Sequence, residues 1–215
     1  MRVTDPISLA HWRRNVAEMY GRVRAARPEH YLTACLQFRL ARDQLFRTHP
    51  QSPLRADHRV GFGGLAYYDY APAGRVLATV DSQVAHETFT LQLPADGDFR
   101  FTRVAYLHFQ WAGQPARLSL FWIEGYGGGL FLPFRDGSSG RAGYGGGRYL
   151  LDTIKGADLG HENDQLILDF NYAYNPSCAY NEQWVCPLAP RENWLAETIP
   201  AGEKNFHAPI STQFF

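Results

Sequence analysis

The chain has 215 residues, of which 45% are hydrophobic, 14% aromatic and 20% charged, and it contains 20 Gly and 13 Pro. This composition is sufficient to bury a core, and its aromatic, Gly and Pro content favours β-strands joined by turns over a helical bundle. The formal net charge of zero excludes a global electrostatic attraction to nucleic acid or to a membrane surface.

The N-terminal sequence predicts neither export nor membrane insertion. Charges are scattered through residues 1–20, and no apolar run approaches the roughly 18 residues that a membrane span needs. Three cysteines in a chain without an export signal are typical of a reducing compartment, where disulfides are rare. We therefore expect a cytoplasmic protein.

Two amphipathic helices are predicted near the N-terminus. Asp5 followed by Pro6 is a helix-start pattern, and apolar residues then recur at spacings of three and four to about Ala26. A second helix is expected from Pro28 to about Arg47. Its apolar face consists of Tyr31, Cys35, Phe38 and Leu45, with Leu32, Leu36 and Leu40 beside them. Two prolines end this helix, so residues 1–54 are predicted to be a helical arm packed on the same domain.

From Val60 onwards the hydrophobic period changes to two, the period of a half-buried strand. About eight short strands separated by turn residues predict an antiparallel β-barrel or sandwich over residues 55–215. The expected strands lie at 62–68, 76–80, 86–93, 99–110, 117–124, 130–134 and 166–168. After Asn171 the periodicity ends but aromatic residues continue, so a Pro-rich, aromatic segment is expected to wrap the sheet. The predicted fold is mainly β, an α+β arrangement with two helices packed on the strands.

Polar and aromatic side chains are concentrated within residues 136–204. The Gly-rich turn at 143–147, followed by Arg148, is either an anion site built from backbone N–H groups and a guanidinium or a flexible hairpin loop. Asp169 and Asn171 share one face of a strand, where they either form a buried structural cluster with Arg148 or bind a ligand. The residues predicted to line a ligand site are Asp136, Arg148, Tyr149, Asp169, Asn171, Tyr174 and Asn175.

Other groups in the same stretch have more than one interpretation. Asp136 precedes Gly and Ser, and it is either a turn residue that accepts backbone N–H groups or a ligand or metal residue. Cys178 and Cys186 are eight positions apart, and they are either packed free thiols, a disulfide, a catalytic Cys or, together with Glu203, metal ligands. Zinc sites need four ligands and usually short Cys-x-x-Cys pairs. The sequence therefore indicates no particular metal or cofactor.

Several motifs resemble a bacterial and archaeal family named domain of unknown function 1684. They are Phe62-Gly63-Gly64-Leu65-Ala66-Tyr67-Tyr68, Leu130-Phe131-Leu132-Pro133-Phe134-Arg135-Asp136, Gly145-Gly146-Gly147-Arg148-Tyr149-Leu150, Asp169-Phe170-Asn171, Ala173-Tyr174-Asn175-Pro176-Ser177-Cys178, Cys186-Pro187-Leu188 and Ala201-Gly202-Glu203-Lys204. The resemblance spans roughly residues 40 to 205 in order. It departs from the family at 138–144, where an acid and a Thr that members often carry are absent. The resemblance implies no particular activity, ligand or cofactor.

Three functions stay open at this level. The first is a β-barrel that binds a small anionic molecule, with or without enzymatic activity, and with Arg148 as the anion anchor. The second is a metal- or cysteine-dependent hydrolase that uses Cys178, Cys186, Asp169 and Glu203. The third is a non-catalytic structural or interaction protein, which includes a homo-oligomer.

Overall fold

The structure is a computed structural model that describes residues 5–93 and 97–208. Within these ranges, eight antiparallel strands form one sheet curled into a half-barrel, and two long helices pack on it. The helices are α1 Pro6–Arg24, α2 Tyr31–Thr48 and the short α3 Ala56–Arg59. The mainly β fold with two N-terminal helices is thus confirmed. No helix in the described ranges combines the length and hydropathy needed to cross a membrane.

Helix α1 begins where the sequence predicts. Oδ1 of Asp5 accepts hydrogen bonds from the N–H groups of Ile7 at 3.0 Å and Ser8 at 3.1 Å. These bonds satisfy two of the donors that the first helical turn leaves free. Pro6 occupies the first helical position, where its missing N–H costs no intrahelical bond. The start of α1 is therefore determined by local sequence.

The buried face of helix α2 contains two arginines, whereas three of its leucines face solvent. Cys35 and Phe38 are buried as predicted, but so are Arg39 and Arg42. The three leucines expected beside the apolar face, Leu32, Leu36 and Leu40, are exposed. The buried guanidinium groups are accommodated because aromatic rings lie over them, Tyr67 at 4.6 Å from Arg39 in one case.

The sheet is organised around one long strand. The strands are β1 Arg75–Asp81, β2 Thr88–Leu93, β3 Gly97–Trp111, β4 Gln114–Ile123, β5 Gly129–Phe134, β6 Arg148–Asp152, β7 His161–Glu162 and β8 Gln165–Asp169. They pair in the order β6-β5-β4-β3-β1-β8-β7, and β2 pairs with β3. Strand β3 pairs with β2 over its first half and with β1 over its second half, while β4 follows it along most of its length. Strands β6 and β8 therefore lie in distant parts of the sheet.

The strand predicted at 62–68 is wrong. This stretch forms one isolated bridge, between Tyr67 and Glu203, and Gly64 has a φ of +119° that interrupts extended backbone. The N–H of Leu65 donates to a side chain, Oδ1 of Asp43, at 3.0 Å instead of to a neighbouring strand. Strands β6 and β7 were not predicted, because β6 is buried at every position and does not alternate, and β7 has two residues.

The helices and the sheet share one core. Val16 and Tyr20 of α1 and Phe38 of α2 belong to the same cluster of buried residues as Leu107 and Leu168 of the sheet. The rings of Tyr20 and Phe38 meet edge to face, with centroids 5.0 Å apart. Each fully buried side chain of this size contributes about 1.5–3 kcal/mol. The core therefore holds α1 and α2 at fixed positions over the strands.

Residues 170–208, here named the C-terminal segment, contain only short 3₁₀ turns and extended stretches within the described part. The segment runs along strand β6, where Tyr174 and Tyr149 exchange backbone hydrogen bonds of 3.0 and 2.8 Å. A second bridge joins Trp194 to Arg135 at the end of β5. The segment thus adds residues to the edge of the sheet, beneath the two helices.

Candidate functional site

Arg148, the predicted anion anchor, lies in a closed network of the chain's own groups. Its Nη2 donates to Oδ2 of Asp136 at 2.7 Å and to the carbonyl of Ile199 at 3.0 Å. Its Nη1 donates to the carbonyls of Ala201 and Glu203. The side chains of Arg148 and Asp136 are 2% and 0% exposed. Three of the four Nη–H bonds of Arg148 therefore hold the C-terminal segment against β6, and the fourth holds Asp136.

The carboxylate partner of Arg148 is Asp136, so the hypothesis that pairs Arg148 with Asp169 is wrong. Arg148 pairs in register with Phe134, two residues before Asp136, whereas Asp169 ends strand β8 in a distant part of the sheet. Asp136 is also the turn residue that its sequence suggests. Its Oδ1 accepts from the N–H and hydroxyl of Ser138 at 3.1 and 2.6 Å. These bonds offset the desolvation cost of a buried ion pair.

Two backbone donors of the Gly-rich turn before Arg148 bond to carbonyls of the surrounding loop. The N–H of Gly143 donates to the carbonyl of Ser138, and that of Gly147 donates to the carbonyl of Tyr144, both at 3.0 Å. Gly147 has a φ of +87°, and a Cβ there would lie 2.5 Å from the carbonyl oxygen of Phe134. A larger residue would therefore separate this turn from β5.

Asp169 and Asn171 form a second closed network. Oδ1 of Asp169 accepts from the N–H and Nδ2 of Asn171 at 3.0 and 2.8 Å, and the Asn171 amide exchanges two hydrogen bonds with the backbone of Ala71. Burial raises the pKa of Asp169, against the effect of the hydrogen bonds from Asn171. The pair therefore positions the turn before β1.

A cavity of about 170 Å³ lies between α1, α2, β6 and the C-terminal segment. Three residues of the predicted ligand set line it, namely Tyr149, Tyr174 and Asn175, and Cys186 lines it as well. The other predicted ligand residues, Asp136, Arg148, Asp169 and Asn171, are not part of its wall. The structure thus divides the predicted site into a cavity and two networks that stabilise its surroundings.

Aromatic rings form much of the cavity wall. They belong to Trp12, Tyr20, Phe46, Tyr149, Tyr174, Tyr180 and Trp184. The rings of Tyr149 and Tyr174 meet edge to face with centroids 5.7 Å apart, since the backbone bridge between these residues places them side by side. The hydroxyl of Tyr149 donates to the carbonyl of Pro187. The wall is therefore rigid and largely apolar on the β6 side.

Arg42 is the buried cation of the cavity. Its Nε donates to Oε1 of Glu203, in an ion pair whose side chains are 11% and 1% exposed. The guanidinium carbon lies 4.7 Å from the ring centroid of Phe46 and 5.1 Å from that of Tyr174. Among the described residues, its two Nη groups have no hydrogen-bond partner, and the side chain lines the cavity.

Glu203 contacts Arg42 from outside the cavity lining, and both of its carboxylate oxygens accept hydrogen bonds. Its Oε2 accepts a hydrogen bond from the backbone N–H of Asn175 at 2.8 Å and another from the hydroxyl of Tyr180. Glu203 is 1% exposed and does not line the cavity. Its carboxylate therefore holds Arg42, Asn175 and Tyr180 in place without adding negative charge to the cavity wall.

Two further cations lie at the cavity. Lys155 pairs with Asp152, with Nζ 3.0 Å from Oδ2, and this carboxylate is the main cause of the raised pKa of Lys155. Arg13 is an exposed residue of α1. None of the described residues that line the cavity is Asp, Glu or His. The charged side chains that line the cavity are therefore all cations, and the carboxylates paired with Arg42 and Lys155 lie outside the lining.

Asn175 provides a polar atom without a partner. Its Nδ2 donates to the carbonyl of Lys204 at 2.7 Å, but its Oδ1 is buried and has no hydrogen-bond partner among the described residues. Buried polar groups usually have partners, so this oxygen indicates capacity for a ligand or for water. The phenols of Tyr20 and Tyr174 also line the cavity, and burial raises the pKa of both.

Cys178 and Cys186 are free thiols beside the cavity. The N–H of Cys178 donates to Sγ of Cys186 at 3.4 Å, and the hydroxyl of Tyr144 donates to Sγ of Cys178 at 3.5 Å. Hydrogen bonds, first from Cys186 and then from Tyr144, lower the pKa of Cys178 to about 6 although burial opposes this. The pKa of Cys186 is raised by its hydrogen bond to Cys178 and by burial.

Across residues 5–93 and 97–208, no group of three or more His, Cys, Asp or Glu side chains is arranged as a metal site. Cys178, Cys186 and Glu203 therefore do not come together as a ligand set, and Glu203 has Arg42, Asn175 and Tyr180 as its partners.

Sequence reasoning missed Arg13, Arg42, Lys155 and Tyr20 as lining residues. One signal was available for Arg42. It lies four residues after Phe38 and seven after Cys35, so helical spacing places it on the apolar face of α2. A charged residue on a buried helix face needs a partner, and it is a candidate for a functional role.

Comparison with known proteins gives a family and a related fold. Residues 60–204 match the family described as "Protein of unknown function (DUF1684)". The chain is also similar to an uncharacterised protein of Haloarcula marismortui with a solution NMR structure, at 36% identity and a TM-score of 0.58, over 82% of this chain and 95% of that chain. A comparison with curated proteins gave no match.

Proposed function

The chain belongs to the DUF1684 family, as its motifs predict, and we propose that it binds a small organic anion in the cavity beneath α1 and α2. The ligand class is a monocarboxylate with an apolar or aromatic body. The observation that carries the proposal is the buried guanidinium of Arg42, which lines the cavity with both Nη groups unpartnered among the described residues. A guanidinium in this state is matched by a carboxylate.

Charge supports an anionic ligand. Arg13, Arg42 and Lys155 line the cavity, and none of its described lining residues is a carboxylate. Glu203 balances Arg42 from behind, so Arg42 keeps its position at low cost when the cavity holds no ligand. A ligand carboxylate would then accept hydrogen bonds from the Nη groups, while the neutral phenols of Tyr20 and Tyr174 supply further donors.

Size and lining support an apolar body. An apolar cavity of about 150 Å³ is known to hold a benzene molecule, so about 170 Å³ suits a ring or short alkyl chain with one carboxylate. The walls are the rings of Trp12, Phe46, Tyr149 and Trp184. Aromatic walls with a few fixed polar groups are typical of small-molecule sites.

The proposal is one of binding rather than catalysis. General acid–base chemistry most often uses His, Asp or Glu, and none of these lines the cavity among the described residues. The hydrolase hypothesis also requires Asp169 and Glu203 near the cysteines, and both are engaged in separate networks. Arg42 replaces Arg148 as the anion anchor, while Tyr149, Tyr174 and Asn175 stay in the proposed site.

Isothermal titration calorimetry with benzoate and benzamide tests the proposal, because the two compounds share a shape and differ in charge. We expect benzoate to bind at least about tenfold more tightly, since its carboxylate adds a Coulomb attraction to the guanidinium that neutral benzamide lacks, about 4 kcal/mol at 4 Å near a protein surface before desolvation. Hexanoate provides a second carboxylate with a flexible body. Equal affinity for benzoate and benzamide would contradict an anion site.

A cavity-filling variant serves as the matched control. Val16 lines the cavity from α1, and Val16→Phe would place a ring in it. We expect a folded protein with unchanged circular dichroism and no benzoate binding. If Val16→Phe binds benzoate as the parent protein does, the anion lies elsewhere. If the parent binds neither carboxylate, the structural or interaction role is favoured instead.

A further inference from the structure

Two of the three cysteines meet in the C-terminal segment, beside strand β6. The N–H of Cys178 lies 3.4 Å from Sγ of Cys186, so the Cys186 sulfur is within reach of the residue whose thiol would have to join it. Tyr144, from the Gly-rich turn, donates its hydroxyl to Sγ of Cys178. Both thiols are partly accessible, whereas Cys35 is fully buried in α2.

We propose that Cys178 and Cys186 form a redox-active dithiol that is oxidised by hydroperoxides, with Cys178 as the attacking thiolate and Cys186 as the resolving thiol. This activity is independent of the proposed anion binding. The two cysteines fulfil the geometric need of such a pair, because they are adjacent and accessible. A third group, the Tyr144 hydroxyl, stabilises negative charge on one of the two sulfurs.

The two sulfurs have different environments, which assigns their roles. Sγ of Cys178 accepts a hydrogen bond from the Tyr144 hydroxyl, and interaction with the Cys186 thiol first, and then with Tyr144, lowers the pKa of Cys178 to about 6. The pair therefore loses its first proton more easily than an ordinary thiol does, and the hydrogen bond from Tyr144 favours the thiolate on Cys178. The thiolate is the reactive form of cysteine. Cys35 is the contrasting case, since burial raises its pKa to about 11.

The local backbone allows the two sulfurs to approach each other and form a disulfide. Cys178 lies in a 3₁₀ turn, Ser177–Ala179, and Cys186 lies in a stretch without helix or strand, so small movements do not break a regular element. A disulfide requires Cβ atoms about 3.5–4.5 Å apart. The neighbouring Pro187 is held by the hydroxyl of Tyr149, which keeps Cys186 at the cavity wall.

The proposed chemistry balances with the hydroperoxide as the oxidant. The Cys178 thiolate attacks one peroxide oxygen, so an S–O bond forms, the O–O bond breaks and the departing alkoxide takes a proton to leave as an alcohol, or as water from hydrogen peroxide. The Cys186 sulfur then attacks the Cys178 sulfenic acid. An S–S bond forms, the S–O bond breaks, and hydroxide leaves as water with the Cys186 proton. Two thiols are oxidised and one peroxide is reduced.

The experiment maps the cysteines of the intact protein after treatment with one equivalent of hydrogen peroxide. Remaining thiols are alkylated in denaturant, and peptides are identified by mass spectrometry. We expect peptides containing Cys178 and Cys186 to be joined by a disulfide and Cys35 to be alkylated. In the untreated protein, alkylation of Cys178 should be half-maximal near pH 6, against about 8.5 for an ordinary thiol. Tyr144→Phe should raise that midpoint.

Two variants distinguish the roles of the sulfurs. Cys186→Ser should stop at a sulfenic acid on Cys178, which dimedone traps, and Cys178→Ser should leave Cys186 reduced under the same treatment. Circular dichroism checks that each variant folds, and the mapping of the native protein decides the question where one does not. The proposal is overturned if peroxide leaves both thiols reduced, if it oxidises them without joining them, or if Cys178 is alkylated with the pH midpoint of an ordinary thiol.

Discussion

Arg148 and Arg42 each form a buried ion pair with a carboxylate, but the rest of the guanidinium is used differently in the two cases. Arg148 donates from both Nη groups, to Asp136 and to three carbonyls of the C-terminal segment. Arg42 donates from Nε alone to Glu203, and its Nη groups have no partner among the described residues. The first network joins parts of the fold, and the second lines a cavity.

The difference shows that burial alone does not indicate whether an arginine can bind a ligand. Both arginines are almost inaccessible, and a charged residue is rarely buried without a partner. A saturated guanidinium has no capacity for a ligand, so its removal should affect stability. A partly used one retains donors, so its removal should affect binding. Two measurements test this division and a third tests the pH dependence of the cavity side, in order from the largest expected effect to the smallest.

Removal of the Arg148 side chain is expected to destabilise the fold strongly. Arg148→Met keeps much of the volume but leaves the Asp136 carboxylate buried without its cation and three carbonyls without a donor. Breaking one partner of a buried ion pair costs about 3–5 kcal/mol. The free energy of unfolding, from urea denaturation at neutral pH, should fall by this amount.

The exposed Arg14→Met on α1 provides a matched control, for which we expect a change within about 0.5 kcal/mol. A loss of less than about 1 kcal/mol for Arg148→Met would show that the Arg148 network does not stabilise the C-terminal segment as described. It would also remove the contrast between the two arginines.

Neutralising the Arg42 pair is expected to weaken binding with a smaller effect on folding. In Arg42→Gln/Glu203→Gln, the two amides can bond to each other, and the oxygen of residue 203 can still accept from Asn175 and Tyr180. Benzoate affinity should fall about 10–100-fold, because a charge-assisted hydrogen bond contributes about 1.5–3 kcal/mol. Calorimetry of benzoate binding measures this loss.

The control is the same chemical change in an ion pair away from the cavity. Arg103 pairs with Glu192, and neither residue lines the cavity. Arg103→Gln/Glu192→Gln should therefore retain benzoate affinity. Equal loss in both double variants would mean that the loss is not specific to the Arg42 guanidinium, and it would contradict Arg42 as the anion anchor.

The smallest effect concerns pH, and it is expected on the cavity side of the molecule. The ring of His49 packs edge to face on Trp12, a lining residue, and its Nε2 lies 3.0 Å from Nδ1 of His11. Burial first, and then the charges of His11 and Arg59, lower the pKa of His49 from 6.5. The folded chain therefore binds this proton more weakly than the unfolded chain does.

Protonation of His49 therefore destabilises the folded chain. The stability from neutral His49 is complete above pH 6.5, and it is lost as the pH falls through this value towards the lower folded pKa. Urea denaturation at pH 7.5 and 5.5 should show a drop, and His49→Asn should make it smaller. Asn retains an oxygen that can accept from the N–H of Gln51, as Nδ1 of His49 does. An equal drop in both proteins would exclude His49 as the cause.

Several elements could be predicted because their determinants are local. Asp5 and Pro6 specify the start of α1, and alternation of apolar residues specifies β2, β3 and β4. The concentration of Tyr149, Tyr174 and Asn175 near Gly and Pro also identified part of the cavity wall. In each case, neighbours within a few residues carry the information.

The elements that could not be predicted depend on distant contacts. Strand β6 is buried at every position, so it lacks the alternation that identifies a half-buried strand. The stretch at 62–68 has a strand-like composition, but its backbone donors bond to Asp43 of α2 and to the C-terminal segment. Contacts between residues so far apart in the sequence leave no periodic pattern in the local hydrophobicity.

The sequence by itself determined the fold class, the ends of α1 and the part of the chain where the cavity wall is found. Only the tertiary structure decided which of Arg42 and Arg148 has free donors. Arg42 meets Glu203 across 161 positions of the sequence, and Arg148 meets the carbonyls of Ile199 and Ala201 across 51 and 53. Hydrogen-bond saturation depends on groups that the fold brings together, so two arginines with similar burial acquire different roles.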